Sequence, residues 1–122
     1  MSILMSDIQR IESGTRMSDA VIYEGKVYLS GVVADQAAGL SVYEQTVDIL
    51  AQIDALLARA GSHKTRILKA NIWLSDITKF SEMNRAWDAW AIAGQTPARA
   101  TVEARLATPD YAVEIMVEAV VA

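Results

Sequence analysis

The chain has 122 residues, 52% hydrophobic and 21% charged, with a net charge of -4 and a pI of about 4.9. That length suits one domain around one core, and the composition is that of a folded protein. The acidic balance, with Lys and Arg scattered, argues against a surface for nucleic acid or an anionic membrane, and a chain with no cysteine and one histidine excludes thiolate sites and disfavours a His-built metal centre.

No internal repeat, low-complexity tract or Pro/Gly-rich linker divides the sequence, so residues 1-122 are read as a single domain. The opening MSILMSDIQRIESG has a short apolar patch but neither a basic leader nor a long apolar region, and does not read as a secretory signal. No apolar run reaches the roughly 18 residues that span a bilayer. A cytoplasmic protein is the expectation, with which the lack of cysteine agrees.

Residues 8-12 allow a short first strand. AVIYEGKVYLSG (20-31) is the clearest local signal: two β-rich runs, Val21 to Tyr23 and Val27 to Leu29, flank Glu24-Gly25-Lys26 as a tight hairpin. From Ser41 to Ala60 the period becomes helical, with Tyr43, Val47, Leu50, Ile53 and Leu57 on one stripe and Ile49 and Leu56 widening it. Ser41 with Glu44 resembles a capping box, and Gly61 supplies the stop. RILKANIWLSD (66-76) alternates imperfectly, but its β-branched residues favour a strand. Asp76 or Thr78 then opens a second helix, with the stripe Phe80, Met83, Trp87, Trp90 and an end at Gly94. Strands over 98-106 and 111-121, turning at ATPD, close the chain.

The order is β-β-β-α-β-α-β-β, an α+β mixed sheet with both helices on one face. The strand-helix-strand passage over 27-75 requires part of the sheet to be parallel. The final strand is apolar on both alternating sets: Val113, Ile115, Val117, Ala119 and Val121 on one, Ala112, Met116 and Val120 on the other. Two helices cover only one face, so the other is expected to be buried by further copies of the chain.

Few residues carry chemistry. His63 follows a helix end and reads as solvated; a Ser-His-Asp triad would need it inside a pocket. The six glycines form no phosphate-binding pattern. Trp73, Trp87 and Trp90 read as core packing rather than a binding platform. Lys26 lies in a hairpin turn and reads as solvated rather than as a Schiff-base lysine. Asn84 is either a polar cap over a pocket or an ordinary helix residue. Arg99, beside Ala98, Ala100 and Thr101, has three readings: it faces solvent, it pairs with Glu103, Glu114 or Glu118, or its planar fork awaits an anionic ligand. From composition the internal ion pair is the simplest.

SGVVAD, EQTVDILAQIDALLARAGS, ANIWLSDITKFSEMNRAWDAW and PARATVEARL with VEIMVEAVV together resemble the RidA/YjgF family of reactive enamine/imine deaminases, in its YoaB-like branch, from about residue 17 to 122. The resemblance implies a chorismate-mutase-like fold, a homotrimer with a ligand cleft between subunits, and no metal or organic cofactor. It implies hydrolysis of short 2-imino or 2-enamino acids, such as 2-aminoacrylate released by pyridoxal-phosphate enzymes, to 2-keto acids and ammonia. In that frame Arg99 holds the substrate carboxylate. Ser30 and Gly31 line the cleft with backbone groups, Thr101 helps hold water or the imine nitrogen, and Asn84 takes the place of the family's helix asparagine. Three positions depart from the pattern: Met17 stands where a cleft tyrosine is expected, Thr101 where a cysteine is, and Met116 where a water-positioning glutamate is. Glu114 or Glu118, on the same strand face as Met116, is the candidate replacement. The alternative is a non-catalytic trimer that binds a carboxylate metabolite and regulates a partner. A chorismate mutase activity would need polar residues that are not recognisable here.

Overall fold

The computed structural model describes residues 7-122; the apolar patch at residues 1-6 lies outside the described residues. Seven strands and two helices follow one another as β1 (Gln9–Ser13), β2 (Ser18–Tyr23), β3 (Lys26–Leu29), β4 (Val32–Val33), α1 (Val42–Arg59), β5 (Ile67–Leu74), α2 (Phe80–Trp90), β6 (Ala98–Glu103) and β7 (Val113–Val120). The hairpin forms as expected. Glu24 and Gly25 both take positive φ, 50° and 79°, the backbone a two-residue turn between twisted strands needs.

The sheet runs β1-β2-β3-β7-β5-β6, with β4 pairing β7 beyond the end of β3. The last two strands are therefore not a hairpin: β5 lies between them, antiparallel to β7 and parallel to β6. The parallel neighbours are β5 and β6, joined through α2. β3 and β5 also run in the same direction, but β7 separates them. β6 stops at Glu103, short of 106, and residues 104-109 arch away before β7 begins.

β5 alternates imperfectly for a physical reason. The register shifts between Ile67 and Lys69, so Ile67 and Ala70 share the buried face despite a spacing of three. A second irregularity matters more. β3 and β4 lie along the same side of β7, but their registers differ by one residue, which is absorbed at Ser30-Gly31. That bulge turns the Ser30-Gly31 backbone out of the ladder.

Both helices cover one face of the sheet. Ile49, Leu50, Ile53 and Leu57 of α1 and Met83 and Trp87 of α2 meet Ala70, Ile72 and Leu74 of β5 and Val113, Ile115, Val117 and Ala119 of β7. Ser41 caps α1 by accepting from the Glu44 N–H, and Gly61, at φ 78°, follows its last turn. The stripe of α1 is rotated from the expected one: Val47 is 47% exposed, while Gln45 and Thr46 are buried. Thr46 donates to the Val42 carbonyl, and Gln45 donates from Nε2 to the carbonyls of Leu40 and Asp110 and accepts at Oε1 from Ala112 N–H. Asp76 opens a single 3-10 turn that runs into α2, accepting from Thr78. α2 ends at Trp90, four residues before Gly94, because Ala91 is already extended.

The opposite face carries Val21, Tyr23, Tyr28, Glu114, Met116, Glu118, Val120, Asn71, Trp73 and Val102 with no layer above them among the described residues. Trp73 belongs to this open face and not to the core, unlike Trp87 and, at its edge, Trp90.

Candidate active site

Arg99 lies on the helix side of β6, level with buried Ala70. Its guanidinium sits over two rings of α2, 5.1 Å from the Trp87 ring centre and 5.7 Å from that of Phe80. It makes no hydrogen bond or ion pair among the described residues. The expected internal pair fails for geometric reasons. Glu103 is engaged elsewhere, accepting from Ile77 N–H at 3.0 Å, and Glu114 and Glu118 project from the other face of the sheet. Burial pushes the arginine's pKa down, and Asp88 opposes this from a distance.

Two further polar atoms in this region lack partners. Asn84 Oδ1 and Thr101 Oγ1 are buried and have no hydrogen-bond partner among the described residues. Asn84 stands one turn from Phe80 and one from Trp87 on α2, and Thr101 is two residues from Arg99 on the same face of β6. Helix and strand periodicity thus turn Phe80, Asn84, Trp87, Arg99 and Thr101 toward one another. An unpaired cation and two orphaned polar atoms are costly in a folded interior, and such groups gather where a ligand binds.

A second group forms at the Ser30-Gly31 bulge. Ser30 donates through N–H to the Asp19 carbonyl and through Oγ to the Ser18 carbonyl, which ties the bulge to β2. Met17, Asp19, Ser30, Gly31, Val32, Val33, Gln52 and Leu56 line a pocket of about 190 Å³ there. The Glu114 carboxylate rests on Gly31, so closely that a Cβ at position 31 would overlap its Oε2. Glu118 is further along β7, opposite Tyr28 and Lys69, and Met116 lies between the two glutamates on the open face. Gln52 donates to the Val33 carbonyl and to Asp48, which accepts from the N–H groups of Asp35 and Ala37. Burial works against the Asp48 charge, but those N–H donors and Gln52 outweigh it and hold the carboxyl below its ordinary range.

The candidate residues thus fall into two groups. Arg99, Thr101 and Asn84 converge; Ser30, Gly31, Met17 and Glu114 converge elsewhere, with β5 and β7 between. His63 caps a single 3-10 turn, accepting from Thr65 N–H, and Lys26 is exposed at the start of β3. Phe80 and Trp87 are not singled out by the sequence as neighbours of Arg99; their helical spacing from Asn84 is the signal that could have found them. No group of three or more metal-ligating side chains occurs among the described residues.

A family model described as Endoribonuclease L-PSP matches residues 7–121. The RutC family protein YoaB of Escherichia coli K12 is 47% identical over 114 residues, covering 93% of this chain and 98% of that one. The chain belongs to the RidA/YjgF family. A YjgF family member from Neisseria meningitidis has a crystal structure that superposes with a TM-score of 0.93 at 47% identity, over 98% of each chain. RidA/YjgF structures share the chorismate-mutase-like fold, and this chain has it too. A more distant relative, 32% identical over 91 residues, is the 2-iminobutanoate/2-iminopropanoate deaminase of Capra hircus, with 70% of this chain and 66% of that one aligned.

Proposed function

We propose that the chain is the subunit of a homotrimeric hydrolase acting on short 2-imino and 2-enamino acids, such as 2-aminoacrylate released by pyridoxal-phosphate enzymes. The reading rests above all on Arg99, a half-buried guanidinium with no carboxylate partner, set beside two orphaned polar atoms. A planar fork in that setting suits a substrate carboxylate. The name of the goat relative and the family membership point to the same substrates.

In this reading Arg99 grips the carboxylate, and Thr101 and Asn84 meet the nitrogen end or a water. Backbone groups of Ser30 and Gly31 line the opposite wall. Glu114 positions the attacking water, since its carboxylate lies on Gly31 whereas Glu118 does not reach the bulge. Water oxygen adds to the imine carbon, the carbon-nitrogen bond breaks, and the products are a 2-keto acid and ammonia. Imines hydrolyse readily, so positioning and one proton transfer suffice. No metal or organic cofactor is needed. The two groups are kept apart along the sheet by β5 and β7, so a complete cleft needs a second copy, and the open apolar face is the surface it would use. A net charge of -4, with Lys and Arg scattered along the sequence, disfavours a ribonuclease role. A cytoplasmic setting fits substrates that arise there.

The test generates 2-aminoacrylate in situ with a serine dehydratase and follows keto-acid formation against a trapping reagent. Wild type should accelerate hydrolysis, and Arg99→Ala should not. If wild type matches the control without protein while a keto acid still binds through Arg99, the chain is the carboxylate-binding regulator of a partner instead.

A further inference from the structure

We infer that the Arg99 site selects 2-imino acids with bulky apolar or aromatic side chains over three-carbon and acidic ones. This rests on the deaminase reading and, within its 2-imino acids, shifts the preferred substrates from the short ones named there to larger apolar ones.

The inference starts from the rings. The Trp87 and Phe80 ring centres stand 5.1 and 5.7 Å from the Arg99 guanidinium carbon. Trp87 is buried, but Phe80 is 38% exposed in spite of its place on the apolar stripe. Part of an apolar ring beside the cation is thus left to solvent. A carboxylate gripped by the guanidinium places its α-carbon a few ångströms further out. A side chain on that carbon that turns back toward α2 can pack against the exposed part of the Phe80 ring.

The polar atoms restrict the ligand further. Asn84 Oδ1 is an acceptor and Thr101 Oγ1 can donate or accept, so both suit the imine nitrogen and water. Neither is a second cation. Asp88 is close enough to act on the Arg99 charge and repels a second carboxylate. The bulge pocket, which a second copy would bring to Arg99, mixes Met17, Val32, Val33 and Leu56 with Asp19, Ser30 and Gln52, so it adds aliphatic surface, deformable at Met17, and a further carboxylate. One cation, a few small polar groups, carboxylates that repel a second acid, and rings with aliphatic surface describe a monocarboxylate with a large apolar substituent.

An L-amino-acid oxidase supplies the matched imines of phenylalanine, leucine, alanine and glutamate, each followed against a trapping reagent. The expected kcat/KM is about tenfold or more higher for the phenylalanine and leucine imines than for that of alanine, the usual scale for filling an apolar pocket. The glutamate imine should be the poorest. Phe80→Ala should shrink the ratio of the phenylalanine to the alanine imine, and Phe80→Leu should keep the leucine preference. Equal rates for all four, or a Phe80→Ala loss that is the same for each, overturns the inference and leaves the deaminase reading standing. If no imine is accelerated, the deaminase reading fails. Calorimetric titration with phenylpyruvate and pyruvate then decides the inference separately, which stands on a tenfold preference for phenylpyruvate and falls on none.

Discussion

Arg99 and Gly31 carry the sharpest predictions at the scale of single residues. A charge-assisted hydrogen bond contributes about 1.5–3 kcal/mol, so Arg99→Ala should weaken keto-acid binding on the order of tenfold to a hundredfold in a calorimetric titration. Arg99→Lys should recover little of this, because an ammonium cannot offer two parallel N–H donors. Unchanged binding in both variants would remove the carboxylate anchor from the mechanism. Gly31 separates catalysis from stability. A Cβ there overlaps the Glu114 carboxylate, the mobile end of a long side chain and not backbone. Gly31→Ala should therefore leave the melting temperature nearly unchanged while displacing Glu114. Turnover should fall on the order of a hundredfold, as when a general acid-base group is misplaced, and Glu114→Gln should fall as far. If Gly31→Ala melts much lower, the glycine is structural; if Glu118→Gln rather than Glu114→Gln abolishes turnover, the carboxylate has been misassigned.

At the scale of elements, α1 does more than pack. Gln45 is 1% exposed and fastens Leu40, Asp110 and Ala112, two loops distant in sequence, to one side chain. Gln45→Leu would strand those backbone groups, at a cost of about 1–3 kcal/mol, visible as a melting temperature several degrees lower. Asp48 holds the segment after β4 through the N–H groups of Asp35 and Ala37, at 2.8 and 2.9 Å. Its folded-state pKa is lowered, so its contribution is present above the ordinary carboxylate value near about 3.9 and is lost as pH falls through the folded value. Asp48→Ala should thus be less stable than wild type at pH 7, and the two melting curves should converge toward pH 3. A gap that does not narrow would mean that packing, not charge, is at stake. The same elements mark what could be read in advance. The hairpin, the Ser41 cap and both helices were legible because turn chemistry and a 3.6-residue period are local. The exposure of Val47 was not, because Gln45 answers to backbone groups 65 and more residues away. The separation of β6 from β7 was hidden for the same reason: ATPD reads as a tight turn, and nothing local says that β5 lies between. Of the site, Arg99 stood out as a cation among small residues. Its ring neighbours and the Glu114 contact with Gly31 depend on α2 and β7 folding over β6 and the bulge, which no short window contains.

For the whole molecule, the argument turns on the uncovered sheet face. Val21, Tyr23, Tyr28, Met116, Val120, Trp73 and Val102 share it, and the fold of one chain leaves them without a layer above. An apolar sheet face of that kind is ordinarily buried. Within one chain β5 and β7 keep the two groups of site residues apart, so assembly and catalysis are predicted to be one event. Light scattering after gel filtration should give three times the 13.3 kDa chain mass. A Val21→Asp, Tyr28→Asp double variant introduces charge on the open face without touching the helix-side core. It should stay folded by circular dichroism and lose both the trimer mass and turnover together, since Arg99 and Glu114 then have no common cleft. A variant that runs as a monomer yet keeps full turnover would place the whole site within one chain, and the two groups of residues would need another explanation. Retained trimer with lost turnover would instead point to the open face as part of the cleft wall, beside Glu114 and Met116.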